Sequence, residues 1–325
     1  MIDSVAELMS ALERSRGGEV ISLAPGTYPG IAIRDFQRNV PVIITGQGAY
    51  LPGLTIDRSS GLTFTKIEFF VPNPGQFSYR VNRSNNISFD GVYVHGILDG
   101  KPQGKPSGIS ITYSSNIVVK NSTFEQLRRG IGVASSENIK LEGNRFKFMQ
   151  TDGVMVSSTS GILIYKNEFS DFFPTEGDHP DAIQFLTSGT DKPSKKIRIT
   201  ENIAWRGSGS SIQGIFLRDE KKTLPYEDVE ISRNILVGTG YNGIVVAGGV
   251  NVNISENKLL SYNGKENQNW IMVKRGEGVR SYNNAAIKFG YVDVVGLDER
   301  GNKHNKPISE QNADKILSEI KLKMR

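Results

Sequence analysis

Apolar and polar residues alternate in short stretches that recur along most of the chain. Each stretch begins with Ile or Val and ends, usually five positions later, with Asn. Alternation with a period of two predicts a β-strand that buries one face. Because the pattern returns at intervals of roughly 22 to 35 residues, the chain is predicted to consist of repeated units. The clear copies lie at 139–144, 162–167, 197–202, 229–234 and 252–257, and weaker copies begin at Ile117 and Val279.

A second apolar pattern precedes the first and sets the length of the repeat. It reads Gly-Ile-x-Val or a close variant, and its first spacings are 22 and 23 residues, about the length of one three-sided coil. Later spacings lengthen to 29–32 residues. Since stacked coils have sides of fixed length, we expect the additional residues to leave as loops that form the walls of a groove. The copies begin at Gly108, Gly130, Gly153, Ala182, Gly214, Gly243 and Trp270.

The two patterns together predict an all-β protein, a single parallel β-helix with a short helix at each end. The recurrent Asn is expected to form a ladder of stacked turns. Ser4 and Glu7 have the spacing of a capping box. The predicted organisation is an N-terminal capping helix (1–18), a parallel β-helix (19–300) and a C-terminal basic helix or tail (301–325), with a helical pattern from Ala313 to Met324 that offers Ile316, Leu317 and Ile320 for packing.

Composition narrows the function classes. The chain has 325 residues, 35 Gly and no Cys, so it carries neither a disulfide framework nor a thiolate metal site. No apolar run is long enough to cross a membrane, and no leader pattern is present at the start. We therefore expect a soluble protein without a signal peptide and without a membrane partner. Nucleic-acid binding is disfavoured because no compact run of Lys and Arg is interleaved with aromatic residues. The net charge of +5 favours an anionic partner.

The opening helix, the segment 23–28 (Leu-Ala-Pro-Gly-Thr-Tyr) and the Ile/Asn coils carry a family resemblance. They resemble the right-handed parallel β-helix superfamily of pectate lyases, polygalacturonases, alginate-modifying enzymes and phage tailspikes. The resemblance covers nearly the whole chain. It implies a right-handed coil and a polysaccharide that lies across outward-facing strands in a groove between loops, while members of one fold differ in chemistry.

Side-chain direction locates the candidate site independently of the resemblance. In each Gly-Ile-x-Val strand the branched residues point inward, so the residues between them point outward. Polar residues stand immediately before these strands. They are Arg129, Asp152, Asp181, Gln213, Asn242 and Asn269.

The segment 176–184 has the highest density of candidate catalytic groups. It contains three carboxylates and one of the three His residues of the chain. Asp152 and Asp181 are expected on neighbouring coils, within roughly 5 Å of each other, and two close carboxyl groups form a plausible acid–base pair. The predicted catalytic residues are Asp152, Asp181, His179, Asp178 and Arg218, and the predicted substrate-binding residues are Gln184, Lys274, Arg129, Phe216 and Tyr241.

The resemblance to polygalacturonases extends to part of their catalytic motif. Those enzymes carry Asn-Thr-Asp-Gly, then Asp-Asp, then Gly-His-Gly on successive coils. Here the segment 150–153 reads Gln-Thr-Asp-Gly and 180–181 reads Pro-Asp, which supports Asp152 and Asp181 as site residues. The coil expected to supply the His reads Ser-Ile-Gln-Gly at 211–214, so His179 is the candidate to replace it from a different loop.

These observations lead to three hypotheses about function. The first is hydrolysis of an acidic bacterial polysaccharide by paired carboxylates without a cofactor. The second is a polysaccharide lyase, in which Arg218, Lys274 or His179 is the base and Asp152, Asp178 and Asp181 hold Ca²⁺. The third is a glycan-binding spike or adhesin without catalysis. A phage tail protein, a homotrimer and a virion-associated, extracellular or cytoplasmic location are the accompanying expectations.

Overall fold

The computed structural model describes residues 1–70, 77–100, 106–264 and 268–324. It confirms the parallel β-helix. Each coil contributes strands to three sides, and the strands pair in parallel with their equivalents on adjacent coils. No helix of the described residues is long and apolar enough to cross a membrane.

Side 1 consists of the Gly-Ile-x-Val strands and their equivalents. Its strands are β3 (Ile31–Arg34), β6 (Leu54–Asp57), β9 (Phe77–Asn82), β12 (Ser107–Thr112), β15 (Ile131–Ala134), β18 (Val154–Ser157), β21 (Asp181–Leu186), β24 (Gln213–Arg218), the first parts of β27 (Asn242–Ser255) and β29 (Trp270–Tyr282), and β31 (Lys288–Val295).

Side 2 contains the strands that lead to the recurrent Asn. They are β1 (Val20–Ser22), β4 (Gln37–Thr45), β7 (Ser60–Thr65), β10 (Asn85–Asp90), β13 (Ser115–Lys120), β16 (Glu137–Glu142), β19 (Ser160–Tyr165), β22 (Lys195–Thr200), β25 (Tyr226–Ser232), the second parts of β27 and β29, and β32 (Asp298–Arg300).

Side 3 consists of short strands that close each coil. They are β2 (Gly26–Thr27), β5 (Ala49–Leu51), β8 (Glu68–Phe70), β11 (Tyr93–His95), β14 (Thr123–Glu125), β17 (Arg145–Lys147), β20 (Glu168–Ser170), β23 (Ile203–Trp205), β26 (Ile235–Val237), β28 (Lys258–Leu260), β30 (Ala285–Ala286) and β33 (Lys303–His304).

The core is a set of columns of identical or similar side chains that stack from coil to coil. Ile109, Ile131 and Val154 are consecutive members of one column, and all are buried. Side 3 contributes a stack of Phe rings with centroids 4.8 Å apart. This stack explains the Gly that opens the side 1 strands, because a Cβ on Gly130 or Gly153 would lie 2.5 Å from a Phe ring atom.

The predicted Asn ladder is present between sides 2 and 3. In each rung the Asn amide donates to the side-chain oxygen of the Asn on the next coil, at 2.9–3.0 Å, and that oxygen also accepts a backbone N–H. Ser122, not Asn121, occupies the preceding position of the ladder. The ladder comprises Asn144, Asn167, Asn202, Asn234, Asn257, Asn284 and Asn302.

The two helices have different roles. Helix α1 (Val5–Arg14) begins after the Ser4 cap and buries Leu8 and Leu12 in the core, so it covers the N-terminal coil as predicted. Helix α2 (Glu310–Met324) begins three residues before the predicted pattern. It packs Ala313 and Leu317 against the outside of side 3. The outer residues there are apolar, which explains why this helix lies along the flank.

The residues that lengthen the later coils form loops at both edges of side 1. Along the edge where the strands begin, the loops are 171–180 and 206–212. Along the edge where they end, the loops are 187–194 and 219–225. Side 1 is therefore flanked by loops along the coils that carry the candidate site, as the spacing predicted.

Candidate functional site

Side 1 presents three parallel columns of outward residues, and the strand register confirms their predicted alignment. We call them the near column, where the strands begin, the floor and the far column. The floor includes Met155, Gln184, Phe216, Val245 and Met272. The far column includes Leu186, Arg218, Ala247 and Lys274. The near column and the far column are five positions apart along each strand, as at Asp181 and Leu186, which corresponds to about 16 Å.

The near column carries the polar residues that the sequence singled out. Arg129, Asp152 and Asp181 follow one another on consecutive coils, as backbone hydrogen bonds show. Asp181 is in register with Gln213, and the next coil supplies Asn242. Asn269 is the exception: the register shifts between Asn242 and Ile244, so Trp270 takes the position opposite Asn242. Asn269 is buried and bonds Ser261 and Thr239 instead.

Asp152 and Asp181 lie on adjacent coils, as predicted, but both are buried. Their exposed fractions are 3% and 0%. The backbone N–H of Asp181 donates to Asp152 Oδ1 at 3.3 Å, and Arg129 Nε lies 3.3 Å from Asp152 Oδ2 in an ion pair. Within the described part of the chain, Asp181 Oδ1 has no hydrogen-bond partner. The carboxylates therefore form a buried pair beneath the groove surface.

Burial determines the protonation of the pair. It raises the pKa of Asp152 to about 6, although the charge of Arg129 opposes the shift. It raises the pKa of Asp181 to about 7, against the hydrogen bond from His179 and with the charge of Asp152 adding to the rise. Because a buried carboxylate oxygen without a donor disfavours the charged form, Asp181 retains a proton up to about neutral pH.

His179 is the member of this cluster that faces the groove. Its side chain is 52% exposed, while its Nδ1 lies 3.1 Å from Asp181 Oδ2. The hydrogen bond to Asp181 raises the pKa of His179 above its ordinary value of 6.5. The ring also lies 5.5 Å from the ring of Phe216 on the next coil. A proton-transfer group is thus in contact with solvent above a buried acid.

Three amide side chains complete the cluster. Gln184 Nε2 donates to Asp181 Oδ2 at 2.8 Å, so this predicted binding residue lies within the site. Gln213 Nε2 contacts both ring nitrogens of His179, and Asn242 Nδ2 donates to Gln213 Oε1 at 2.6 Å. The sequence placed Gln213 and Asn242 in the near column without selecting them as site residues. Their position one and two coils beyond Asp181 was the signal that could have identified them.

Asp178 faces away from the acid pair. Its Oδ2 accepts from the backbone and hydroxyl of Thr175 and from Gln150 Nε2, at 2.6–2.8 Å. These hydrogen bonds outweigh the effect of burial and lower the pKa of Asp178. In this conformation Asp178 stabilises the turn at 175–178. Its predicted catalytic role stays a prediction.

The other predicted residues line the adjoining part of the groove, which begins at Phe216. Arg218 and Lys274 belong to the far column, with exposed side chains. Arg218 forms no ion pair with any residue that the structure describes. Phe216, Tyr241 and the far-column cations border one cleft of about 360 Å³, and the ring of Tyr241 lies 5.2 Å from that of Trp270. Catalysis by Arg218 at the acid pair would require a reach of about 16 Å along the strand.

The proposed Ca²⁺ ligands do not converge. The described residues contain no group of three His, Cys, Asp or Glu side chains placed to hold a metal ion. Asp178 bonds Thr175 and Gln150, while Asp181 bonds His179 and Gln184. A Ca²⁺ requirement therefore stays a prediction that this geometry does not support.

Comparisons with known proteins concern the fold. A family model described as "Right handed beta helix region" matches residues 52–284. A sequence search of curated proteins finds no match. Among solved structures, the surface protein and adhesin PfbA of Streptococcus pneumoniae is similar, with 15% identity, a TM-score of 0.56 and coverage of 93% of this chain and 95% of that chain. A PL6 alginate lyase in complex with a trisaccharide is also similar, with 13% identity, a TM-score of 0.51 and coverage of 96% and 86%. At such identities the likeness shows the fold alone.

Proposed function

Because the chain belongs to the right-handed β-helix family, and because one exposed imidazole stands in a loop-flanked groove, we propose that it cleaves an acidic polysaccharide bound along side 1. The observation that carries the proposal is the contrast in exposure within the site. The His179 side chain is 52% exposed, while the side chains of Asp152 and Asp181 are 4% and 0% exposed. The group that exchanges a proton with the substrate is then His179, and the carboxylates act through it.

The hydrogen bond between His179 and Asp181 suits a general base. Above its pKa of about 7, Asp181 is ionised, accepts from Nδ1 and stabilises the imidazolium that forms when Nε2 takes a proton. The same bond raises the pKa of His179. Such a group is effective near neutral pH, where it is partly unprotonated and still basic enough to remove a proton.

The reaction that this arrangement supports best is β-elimination. His179 takes the proton from the carbon next to the uronate carboxyl group, and the electron pair of that C–H bond forms a C=C bond. The glycosidic C–O bond at the neighbouring carbon breaks, and its oxygen leaves with the bonding pair and takes a proton from the imidazolium or from water. The step is balanced without a further reactant, and it needs one exposed base rather than two exposed carboxylates.

The cleft beside the site supports an anionic substrate. It has a floor of Phe216, Val245 and Met272, and the cations Arg218 and Lys274 stand at its far edge. An apolar floor binds the face of a sugar ring, while the cations attract carboxylates. The fold likeness to an alginate lyase bound to a trisaccharide agrees with this assignment by analogy.

Hydrolysis is the second candidate, and one observation favours it. The raised pKa values of Asp152 and Asp181 allow one carboxyl group to hold a proton near neutral pH while the other is ionised. Paired carboxylates that cleave a glycosidic bond must both reach it. Hydrolysis thus requires the loop 171–180 to move and expose the pair. A phage tail assembly and a homotrimer stay predictions from the sequence.

The test is incubation with a panel of neutral and acidic polysaccharides. We expect shortening of an acidic polysaccharide, with growth of the ultraviolet absorbance of unsaturated uronates. Activity should persist in chelator, and it should rise with pH through the pKa of His179, above 6.5. New reducing ends without the chromophore would assign hydrolysis instead. Binding without shortening would leave an adhesin, and abolition by chelator would restore the Ca²⁺-dependent lyase.

A further inference from the structure

The ring of His179 is held from two directions by side chains of successive coils. Asp181 Oδ2 lies 3.1 Å from Nδ1. Gln213 Nε2 lies 3.1 Å from Nδ1 and also contacts Nε2. Gln213 is buried, and its Oε1 accepts from Asn242 Nδ2 at 2.6 Å. The four side chains thus form one chain of hydrogen-bonding contacts along the near column.

This chain of contacts specifies which ring nitrogen carries the proton. A side-chain amide has a donor end and an acceptor end. Since Asn242 uses the oxygen of Gln213, the NH₂ group of Gln213 faces His179, and an NH₂ group only donates. Asp181 Oδ2 can accept a hydrogen bond whether the carboxyl group is protonated or ionised, so the proton that Gln213 leaves on Nδ1 is donated to it. The neutral ring is therefore the Nδ1–H tautomer, whose Nε2 keeps its lone pair.

We propose that Gln213 and Asn242 form an amide relay that positions His179 and selects its Nδ1–H tautomer. The proposal rests on the proposed function, in which Nε2 accepts the proton of the substrate, and the NH₂ group of Gln213 then has to leave the lone pair of Nε2 when the substrate binds. Gln213 acts through His179 and is a positioning residue. Once Nε2 is protonated, the two amides reverse by rotation about their terminal side-chain bonds. His179 then donates to Gln213 Oε1 and Gln213 donates to Asn242, so both hydrogen bonds persist in either state of the ring.

The relay explains why polar amides occupy a position that bounds an apolar cleft. Asp152 and Asp181 supply the charge around the ring, and Phe216 supplies its contact on the groove side. Neither the two carboxyl groups nor Phe216 presents a hydrogen-bond donor to the ring at the position that Gln213 occupies. Removal of Gln213 should therefore change the tautomer and the orientation of the ring while the surrounding charges remain.

The experiment is ¹⁵N NMR of the imidazole rings in the full-length protein. The chain has three His residues, and a His179→Gln variant assigns the signals of His179. We expect neutral His179 to be the Nδ1–H tautomer. Gln213→Leu should give a mixture of tautomers, and Gln213→Glu, which offers only acceptors, should move a proton to the nitrogen that faces it. Asn242→Leu should shift the tautomer in the same direction as Gln213→Leu, but less.

Kinetics give a second readout if a substrate is found. Gln213→Leu should lower kcat about tenfold, a part of what a general base contributes, with KM within about twofold. Gln37→Leu, at an exposed position of β4, is the matched control and should leave the ring signals and kcat unchanged. An unchanged tautomer in Gln213→Leu and Gln213→Glu overturns the relay. A changed tautomer in a protein that cleaves no polysaccharide supports the relay and overturns the proposed function. If Gln213→Leu changes neither the cleavage rate nor the ring signals, the proposed function is supported and the relay is overturned.

Discussion

Replacement of Asp181 by Asn should stabilise the protein above neutral pH. The Asp181 side chain is fully buried, and burial raises its pKa from 3.8 to about 7. The folded chain therefore keeps a proton on Asp181 at pH values where the unfolded chain releases it. The resulting stability is fully present below pH 3.8 and is lost as the pH rises through about 7.

The size of the effect follows from the same values. A rise of the pKa from 3.8 to about 7 corresponds to roughly 4 kcal/mol of stability lost between acid and slightly alkaline pH. Asn retains an oxygen that can accept from His179 and Gln184. Its NH₂ group, however, takes the place of Oδ1, which has no partner among the described residues, at a cost of about 1–3 kcal/mol. The variant should then be more stable than the native protein by roughly 1–3 kcal/mol at pH 8, and less stable by a similar amount below pH 4.

The assay is urea unfolding followed by circular dichroism between pH 4 and pH 8. Asp228→Asn is the matched control, because it removes a carboxylate at an exposed position of β25 on side 2 and should leave the pH dependence unchanged. A crossing of the native and Asp181→Asn curves supports the buried, protonated carboxyl group. If Asp181→Asn is less stable by the same amount at every pH, Asp181 is ionised and structurally required, and the assignment of the buried acid is wrong.

Two further predictions concern the groove and the scaffold. Arg218→Ala and Lys274→Ala should each raise KM for an acidic polysaccharide several-fold with little change in kcat. Added salt should raise the KM of the native protein toward that of the variants, since exposed charges are screened. Equal KM values of the native protein and the variants in low salt would contradict the far-column assignment. Asn202→Leu should lower the free energy of unfolding by about 3 kcal/mol, because it leaves buried donors and acceptors of the adjacent rungs unpaired. Asn85→Leu, at an exposed position, is the control and should change the free energy of unfolding by about 0.5 kcal/mol or less. A small effect at Asn202 would show that the ladder does not stabilise the coil.

The periodic features of the chain could be predicted from its sequence because each repeats a local rule. Alternation fixes which side chains enter the core, and the repeat length fixes which residues stack, so the outward columns and the Asn ladder follow directly. In the weaker copy that begins at Ile117, Asn121 comes one position early, and Ser122 occupies the rung. The ladder lies at the turn between sides 2 and 3, and the strand before that turn determines which residue occupies each rung.

The site could be predicted only to the level of the coil. Asp152 and Asp181 were placed on adjacent coils, but their burial depends on the loop 171–180, which carries His179 over them and has no periodic pattern. The orientation of Asp178 depends on a local turn with Thr175. Likewise, Asn269 turns inward because of a shift in strand register that no local pattern reveals.

The most direct test of the central claim is cleavage of an acidic polysaccharide in ¹⁸O-labelled water by the native protein and by His179→Gln. The account predicts that the native products carry a C=C bond and no label, and that His179→Gln lowers kcat about 10²-fold or more while its thermal unfolding stays close to that of the native protein. Labelled products with saturated ends would assign hydrolysis. Normal turnover by His179→Gln would contradict the claim that the exposed imidazole performs the chemistry.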